Sequence, residues 1–256
     1  IFKYIKQLQI QDDLLMIKVD KEIAIVVPDT YVKTLVNYFH IELCHLGIKK
    51  TLFYLKDFFF WPSMYQSITD CINKCKICAN RKIDQGQTKE ILLPRTGKRF
   101  LEQIVVDISY IETKTSKKYM VVIIDRFSKL VSLSATSTQD ESTILNVILN
   151  NWIYRFGRPE SILTDRGRIF EGSLFKDWME KFGIKQEFSS PYRHISNGLA
   201  ERIIWTIRDM LATSLSNTGS ENNWCKLLPR IEFSLNATNF HHLKLYMAER
   251  LTYFLD

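Results

Sequence analysis

Apolar and polar positions follow different periods along this chain, and the changes of period divide it. Near the N-terminus, LLMIKV and EIAIVV flank the charged Asp20-Lys21-Glu22 and read as a strand pair. Pro28 then opens a helical stretch with Asp29 as the expected N-cap, and Val32, Leu35, Val36 and Phe39 recur at helical spacing. A second helix (IKKTLFYLKDF) follows Gly47, and Trp61-Pro62 marks a turn. A third helix runs to about Cys75, with Ile68, Cys71, Ile72 and Cys75 on one face. Three helices of this length enclose little apolar volume, so an additional tie is expected among them.

From Leu101 the pattern turns to strands: Leu101 to Tyr110, Lys118 to Asp125 and Leu130 to Ala135. A helix is predicted from Thr138, where Thr138 and Glu141 match a capping box, to Gly157. Strand 161–164, helix 173–182, strand 184–188 and helices at about 198–215 and 222–236 follow. Three strands and then alternation predict an α/β fold with a mixed sheet. The stretch between the two parts is polar and basic, contains Gly86, Pro94 and Gly97, and reads as a linker. The expected organisation is a strand pair at 1–28, a small helical domain at 29–80, a basic linker at 81–98 and an α/β domain at 99–256.

Composition adds three constraints. With 256 residues, 46% of them hydrophobic, the chain can bury one sizeable core and a small second one. The longest apolar runs are too short for a membrane-spanning helix, and no signal-like block opens the chain, so no membrane role is expected. A net charge of +7 favours a polyanionic partner, nucleic acid or a membrane surface. Five cysteines, an odd number that includes Cys75-x-x-Cys78, suit metal binding in a reducing compartment better than a disulfide framework. The chain lacks an initial Met and reads as a fragment of something longer.

Two sets of residues carry candidate chemistry. His40, at the edge of the first helix's apolar face, and His45, in the following turn, precede Cys75 and Cys78 at the end of the third helix. Four nitrogen and sulfur donors in this order suit tetrahedral Zn2+. A redox Cys-x-x-Cys is the poorer reading, because no strand–turn–helix context surrounds it; Cys44 and Cys71 are expected to be packing thiols.

The second set is acidic. Asp107 ends an apolar run inside a strand, where a charge is costly without a partner. Asp165 follows the strand ILT and begins a turn, a usual place for functional groups in open α/β sheets. Asp125 is a rival strand-end acid. On the helix after Gly198, Leu199, Ile203, Ile207 and Met210 form the expected core stripe, placing Glu201, Trp205 and Arg208 on the other side. Helical phase leaves Glu201 open between a metal ligand and an ordinary solvated residue.

At these residues the chain resembles the retroviral and retrotransposon integrases, most closely those of gypsy-like long-terminal-repeat elements. The likeness runs through IVVPDTYVKTLVNYFHIELCHLGIKKTLFYLKDFFFWPSM, CINKCKICANRK, VVDISY, VVIIDRFSKLV, GRPESILTDRGRIF, SPYRHISNGLAER and LPRIEFSLNAT. It implies a zinc domain on His40, His45, Cys75 and Cys78, then a ribonuclease-H-like core. In that core Asp107, Asp165 and Glu201, the last two separated by thirty-five residues, would hold two Mg2+ or Mn2+ ions. The implied activity is metal-dependent 3′-end processing and strand transfer of element DNA into target DNA, by a homo-oligomer on DNA. DNA contacts are expected from Arg193, Asn197, Arg202, Trp205 and Arg208, and the resemblance implies an intracellular, nuclear site of action. The chain departs from the family at Arg193 and His194, where Tyr-His-Pro-Gln is usual, and at Ile204 and Trp205, where Asn and a polar or basic residue are usual. Near the end LYMAERL replaces Ser-Pro-Ala-Glu. These departures support the alternative expectation of a catalytically silent nucleic-acid-binding module.

Overall fold

The computed structural model describes residues 7–11, 13–19, 22–81, 97–112, 119–189, 198–218 and 224–237. These residues fall into two compact units, one ending at Arg81 and one running from Gly97 to Ala237. The C-terminal motif LYMAERL lies outside them.

In the first unit, β1 (Leu8–Gln11), β2 (Leu14–Val19) and β3 (Glu22–Val26) form an antiparallel meander, and β4 (Phe59–Phe60) pairs in parallel with β3. Sequence pattern had predicted only β2 and β3. LQIQ leaves Ile10 78% exposed, so β1 carries little apolar signal, and β4 is two residues long. Four helices follow: α1 (Asp29–Glu42), α2 (Ile48–Leu55), α3 (Met64–Asn73) and α4 (Lys76–Arg81). Pro28, not Asp29, occupies the N-cap of α1. Asp29 is the first helical residue, where its charge faces the positive end of the helix dipole. Phe39, Leu43, Tyr54, Leu55, Ile68, Ile72 and Trp61 are buried together with the helices' inner faces. The predicted third helix is two, with Cys75 in the break and Cys78 on α4.

The second unit is a five-stranded mixed sheet in the order β7-β6-β5-β8-β9. Its strands are β5 (Gln103–Tyr110), β6 (Tyr119–Asp125), β7 (Val131–Thr136), β8 (Ser161–Thr164) and β9 (Lys185–Phe188). β5 pairs antiparallel with β6 and parallel with β8. The continuous burial of Met120 to Asp125 is expected of a strand covered on both faces. The helices are α5 (Glu141–Ile148), α6 (Tyr154–Phe156), α7 (Arg168–Glu171), α8 (Ser173–Lys181), α9 (Gly198–Thr218) and α10 (Trp224–Ala237). A π-helical turn, Leu149–Ile153, joins α5 to α6 and turns Trp152 fully inward. The capping box expected at Thr138 and Glu141 is not formed. Asp140 is the N-cap, accepting from Thr143 N–H at 3.0 Å, and Thr138 bonds to Asp140 instead.

The free edge of β7 is closed by side chains of α10. Asn236 accepts Val131 N–H at 2.8 Å and donates back to Val131 C=O at 2.8 Å, while Glu232 accepts Leu133 N–H at 2.7 Å. An amide and a carboxylate one turn apart thus stand in for a neighbouring strand. Burial holds the Glu232 carboxyl above its usual range, opposed by the Leu133 bond and by Arg155. Asn236→Ala would strand two backbone groups, and a loss of about 2–4 kcal/mol is expected in urea unfolding. A loss within error would exclude the clamp as a stabilising element.

Candidate metal centres and nucleic-acid interface

His40 lies in the last turn of α1 and is 2% exposed. The chain then leaves the helix through two consecutive left-handed non-glycine residues, Cys44 (φ 53°) and His45 (φ 60°). Each costs on the order of 1–2 kcal/mol in that conformation. The turn is held by the bond from His45 N–H to His40 C=O at 2.7 Å and by full burial of Leu43 and Cys44. Its effect is to turn the His45 ring back over His40, edge to face, with centroids 4.6 Å apart. From the other side, Cys75 sits at the break before α4 and Cys78 one turn later.

The four donor atoms all lie within 4.8 Å of one another. His40 Nε2 and His45 Nδ1 are 3.1 Å apart, Cys78 Sγ is 3.2 Å from His40 Nε2, and Cys75 Sγ is 3.5 Å from His45 Nδ1. Cys78 Sγ to His45 Nδ1 is 3.7 Å. A zinc tetrahedron with bonds of about 2.0–2.3 Å has edges of about 3.3 Å between nitrogens and about 3.6 Å between nitrogen and sulfur. These four distances lie close to those edges and all four donors face one point-sized space, so the donor set fits zinc. Cys44 and Cys71 stand outside it; burial pushes the Cys71 thiol above its usual range.

The acidic residues are placed by the sheet. β5 and β8 pair in parallel as far as Val105 with Leu163, so Asp107 and Asp165 each lie two residues beyond the last paired positions, and the Asp165 charge is near enough to act on the Asp107 carboxyl. Burial raises the Asp107 carboxyl above its usual range and the Asp165 charge raises it further; Ser109, whose hydroxyl is 3.4 Å away, and Arg208 oppose the rise. Asp165 is fixed by an Asx turn in which its Oδ1 accepts Gly167 N–H at 3.0 Å. A Cβ on Gly167 would lie 3.0 Å from that same oxygen. Asp125 belongs elsewhere. It pairs with Ile104, three residues along from the Asp107 partner Val122, and so projects from the opposite face. Fully buried there, it accepts from Leu101 N–H, Ser128 N–H and Ser128 Oγ–H and braces the turn between β6 and β7.

On α9 the buried stripe is Ile204, Ile207, Met210 and Leu211, with Ile203 half-buried. This corrects the expected core stripe: Ile204 belongs to it, and the stripe is rotated toward the Glu201 position, which lies on its flank and not opposite it. Arg208, about 20° from Glu201 around the helix axis, donates from Nη2 to Ser109 Oγ at 3.1 Å. That side of α9 therefore faces the strand bearing Asp107. Arg202 and Trp205 are exposed on the neighbouring surface. The Glu201 side chain, Arg193 and Asn197 lie outside the described residues. The Ser109–Arg208 bond had no signal in the sequence, since it joins residues 99 apart; the Asp-x-Gly turn could have been read from DRG. No described helix is long and apolar enough to cross a membrane.

Residues 27–84 match the family model described as "Integrase zinc binding domain", and residues 98–194 match "Integrase core domain". Among curated proteins the chain is 25% identical over 216 residues to the Pro-Pol polyprotein of simian foamy virus type 3, covering 84% of this chain and 18% of that protein. It is 26% identical over 238 residues to the Transposon Tf2-3 polyprotein of Schizosaccharomyces pombe, covering 90% of this chain and 18% of that one. The chain thus spans about a fifth of the length of these relatives. Among solved structures, the HTLV-2 integrase catalytic core domain in complex with magnesium aligns at 24% identity and a TM-score of 0.44, over 54% of this chain and 86% of that one. The chain thus carries an integrase zinc-binding domain followed by an integrase core domain, and its relatives are retroviral Pol and retrotransposon polyproteins.

Proposed function

We propose that this chain carries out metal-dependent 3′-end processing of retroelement DNA and its strand transfer into target DNA, acting as a homo-oligomer on DNA. The observation that carries the reading is the pair Asp107 and Asp165. Asp107 lies within β5 and Asp165 directly follows the adjacent parallel strand β8, and the half-buried Asp107 carboxyl is destabilised by burial and by the Asp165 charge. Such a pair is a poor structural element alone and a good one around hard divalent cations, which prefer oxygen ligands. Glu201, on the flank of α9, completes the set. Divalent Mg2+ or Mn2+ held there supplies Lewis acidity to a phosphodiester and to its attacking oxygen. Arg208, tied to Ser109, sets the distance of α9 from β5 and offers its remaining donors to phosphate. Arg202, with Arg193 and Asn197 from the preceding segment, extends the DNA contact. His40, His45, Cys75 and Cys78 hold Zn2+ and so build the helical domain.

A duplex ending in the element's terminal sequence should be nicked near its 3′ end and joined to a second duplex by the zinc-loaded chain with Mg2+ or Mn2+. An RNA–DNA hybrid should be cut poorly. Absence of nicking and joining with either ion, while salt-sensitive DNA binding persists, would favour the catalytically silent module. Cutting of the hybrid in preference to DNA ends would point to a general ribonuclease-H-like nuclease.

A further inference from the structure

The surface of α9 beside the carboxylate pair carries a side chain that metal chemistry does not use. Trp205 is 53% exposed, whereas Trp61, Trp152 and Trp224 are at most 2% exposed and Trp178 stacks on Phe182 at 4.3 Å between centroids. Arg202 and Arg208 stand three residues to either side, about 4.5 Å along the axis in each direction. Arg208 fixes the orientation of this face through its bond to Ser109, two residues from Asp107 on the same side of β5. An exposed indole with an arginine three residues to either side therefore lies on the helix that Arg208 ties to the strand bearing Asp107.

We propose that Trp205 stacks on an unpaired base of the DNA strand engaged at that pair, while Arg202 and Arg208 take the phosphates on either side of it. A base inside a duplex has both faces covered by its neighbours, so an indole on a rigid helix can reach only a splayed or single-stranded base. Stacking on a base needs no donor pattern and tolerates sequence, while the arginines supply the salt-sensitive part of binding. Trp205 thus selects DNA ends with unpaired bases over fully paired ends. The inference rests on the proposed DNA-end activity for its placement, but its test needs no catalysis.

The test uses the zinc-loaded chain without Mg2+ or Mn2+, and fluorescein-labelled duplexes that are blunt or carry three unpaired bases at one end. Wild type is expected to bind the unpaired end roughly tenfold more tightly than the blunt end. A 2-aminopurine among the unpaired bases should be quenched on binding. Trp205→Ala should make the two affinities equal and remove the quenching; Trp205→Phe should retain most of both. Preference or quenching that survives Trp205→Ala overturns the proposal, as does equal weakening on both duplexes. Preference without any metal-dependent nicking leaves the stacking site standing and removes the enzymatic reading alone.

Discussion

Cys78→Ser, or removal of metal by a chelator, is expected to unfold the helices α1 to α4 while the β5–β9 sheet stays folded. The size of the effect follows from what the four donors do. Structural zinc contributes an apparent 10–16 kcal/mol at neutral pH, about the whole stability of an ordinary domain, roughly 5–15 kcal/mol. Without a cation, two histidine nitrogens face each other at 3.1 Å with sulfur atoms close by, and the left-handed Cys44 and His45 lose the bond that justifies their strain. Amide hydrogen exchange resolved by segment is the measurement. Protection should vanish from α1 to α4, and zinc released on acidification should coincide with its loss, since the ligands must be deprotonated to bind. Cys71→Ser, outside the donor set, should leave protection nearly unchanged. Full protection of α1 to α4 in Cys78→Ser would sink the zinc assignment.

Asp165→Asn and Asp107→Asn should each lower metal-dependent nicking and joining on the order of 10³-fold or more, without loss of fold. For Asp107 the metal-free protein should even gain stability. Its carboxyl is raised first by burial and then by the Asp165 charge, so the folded state binds that proton more tightly than the unfolded state does. Ionised Asp107 therefore opposes folding at neutral pH. The penalty fades as pH falls through the raised folded-state pKa and is gone below the unfolded value. Asp107→Asn removes the charge at every pH, so its melting temperature should exceed that of wild type at pH 7 and converge with it in acid. Added Mn2+ should stabilise wild type and leave the variant unchanged. A variant less stable than metal-free wild type, or one that still gains stability from Mn2+, would count against the carboxylate pair as a metal site.

Local patterning made most of the architecture legible. Alternation marked β2, β3 and β5 to β9, helical spacing marked α1 to α3 and α8 to α10, and donor types at short separations marked His40, His45, Cys75 and Cys78. What failed to be read was set by competition between local groups. Asp140 displaced Thr138 as a cap because its carboxylate takes the Thr143 N–H and three neighbouring hydroxyls as well, that of Thr138 among them. The predicted third helix broke at Cys75, where the chain changes direction to bring two sulfurs against two rings. β1 went unseen because a strand exposed along most of its length carries little apolar signal.

By itself the sequence determined which residues could carry charge, bind metal or fill a core, because side-chain chemistry and the 2.0 and 3.6 periods are local properties. It left Asp125 as a rival strand-end acid and Glu201 open between a metal ligand and an ordinary solvated residue. Tertiary structure separated the acids by strand and by face. Parallel pairing put β8, which Asp165 follows, next to the strand of Asp107, a three-residue offset turned Asp125 to the other face, and the burial of Ile204 accompanies a rotation of α9 in which Arg208 meets Ser109. Strand register and helix rotation depend on how whole buried faces fit together, and no single stretch of the chain contains that information.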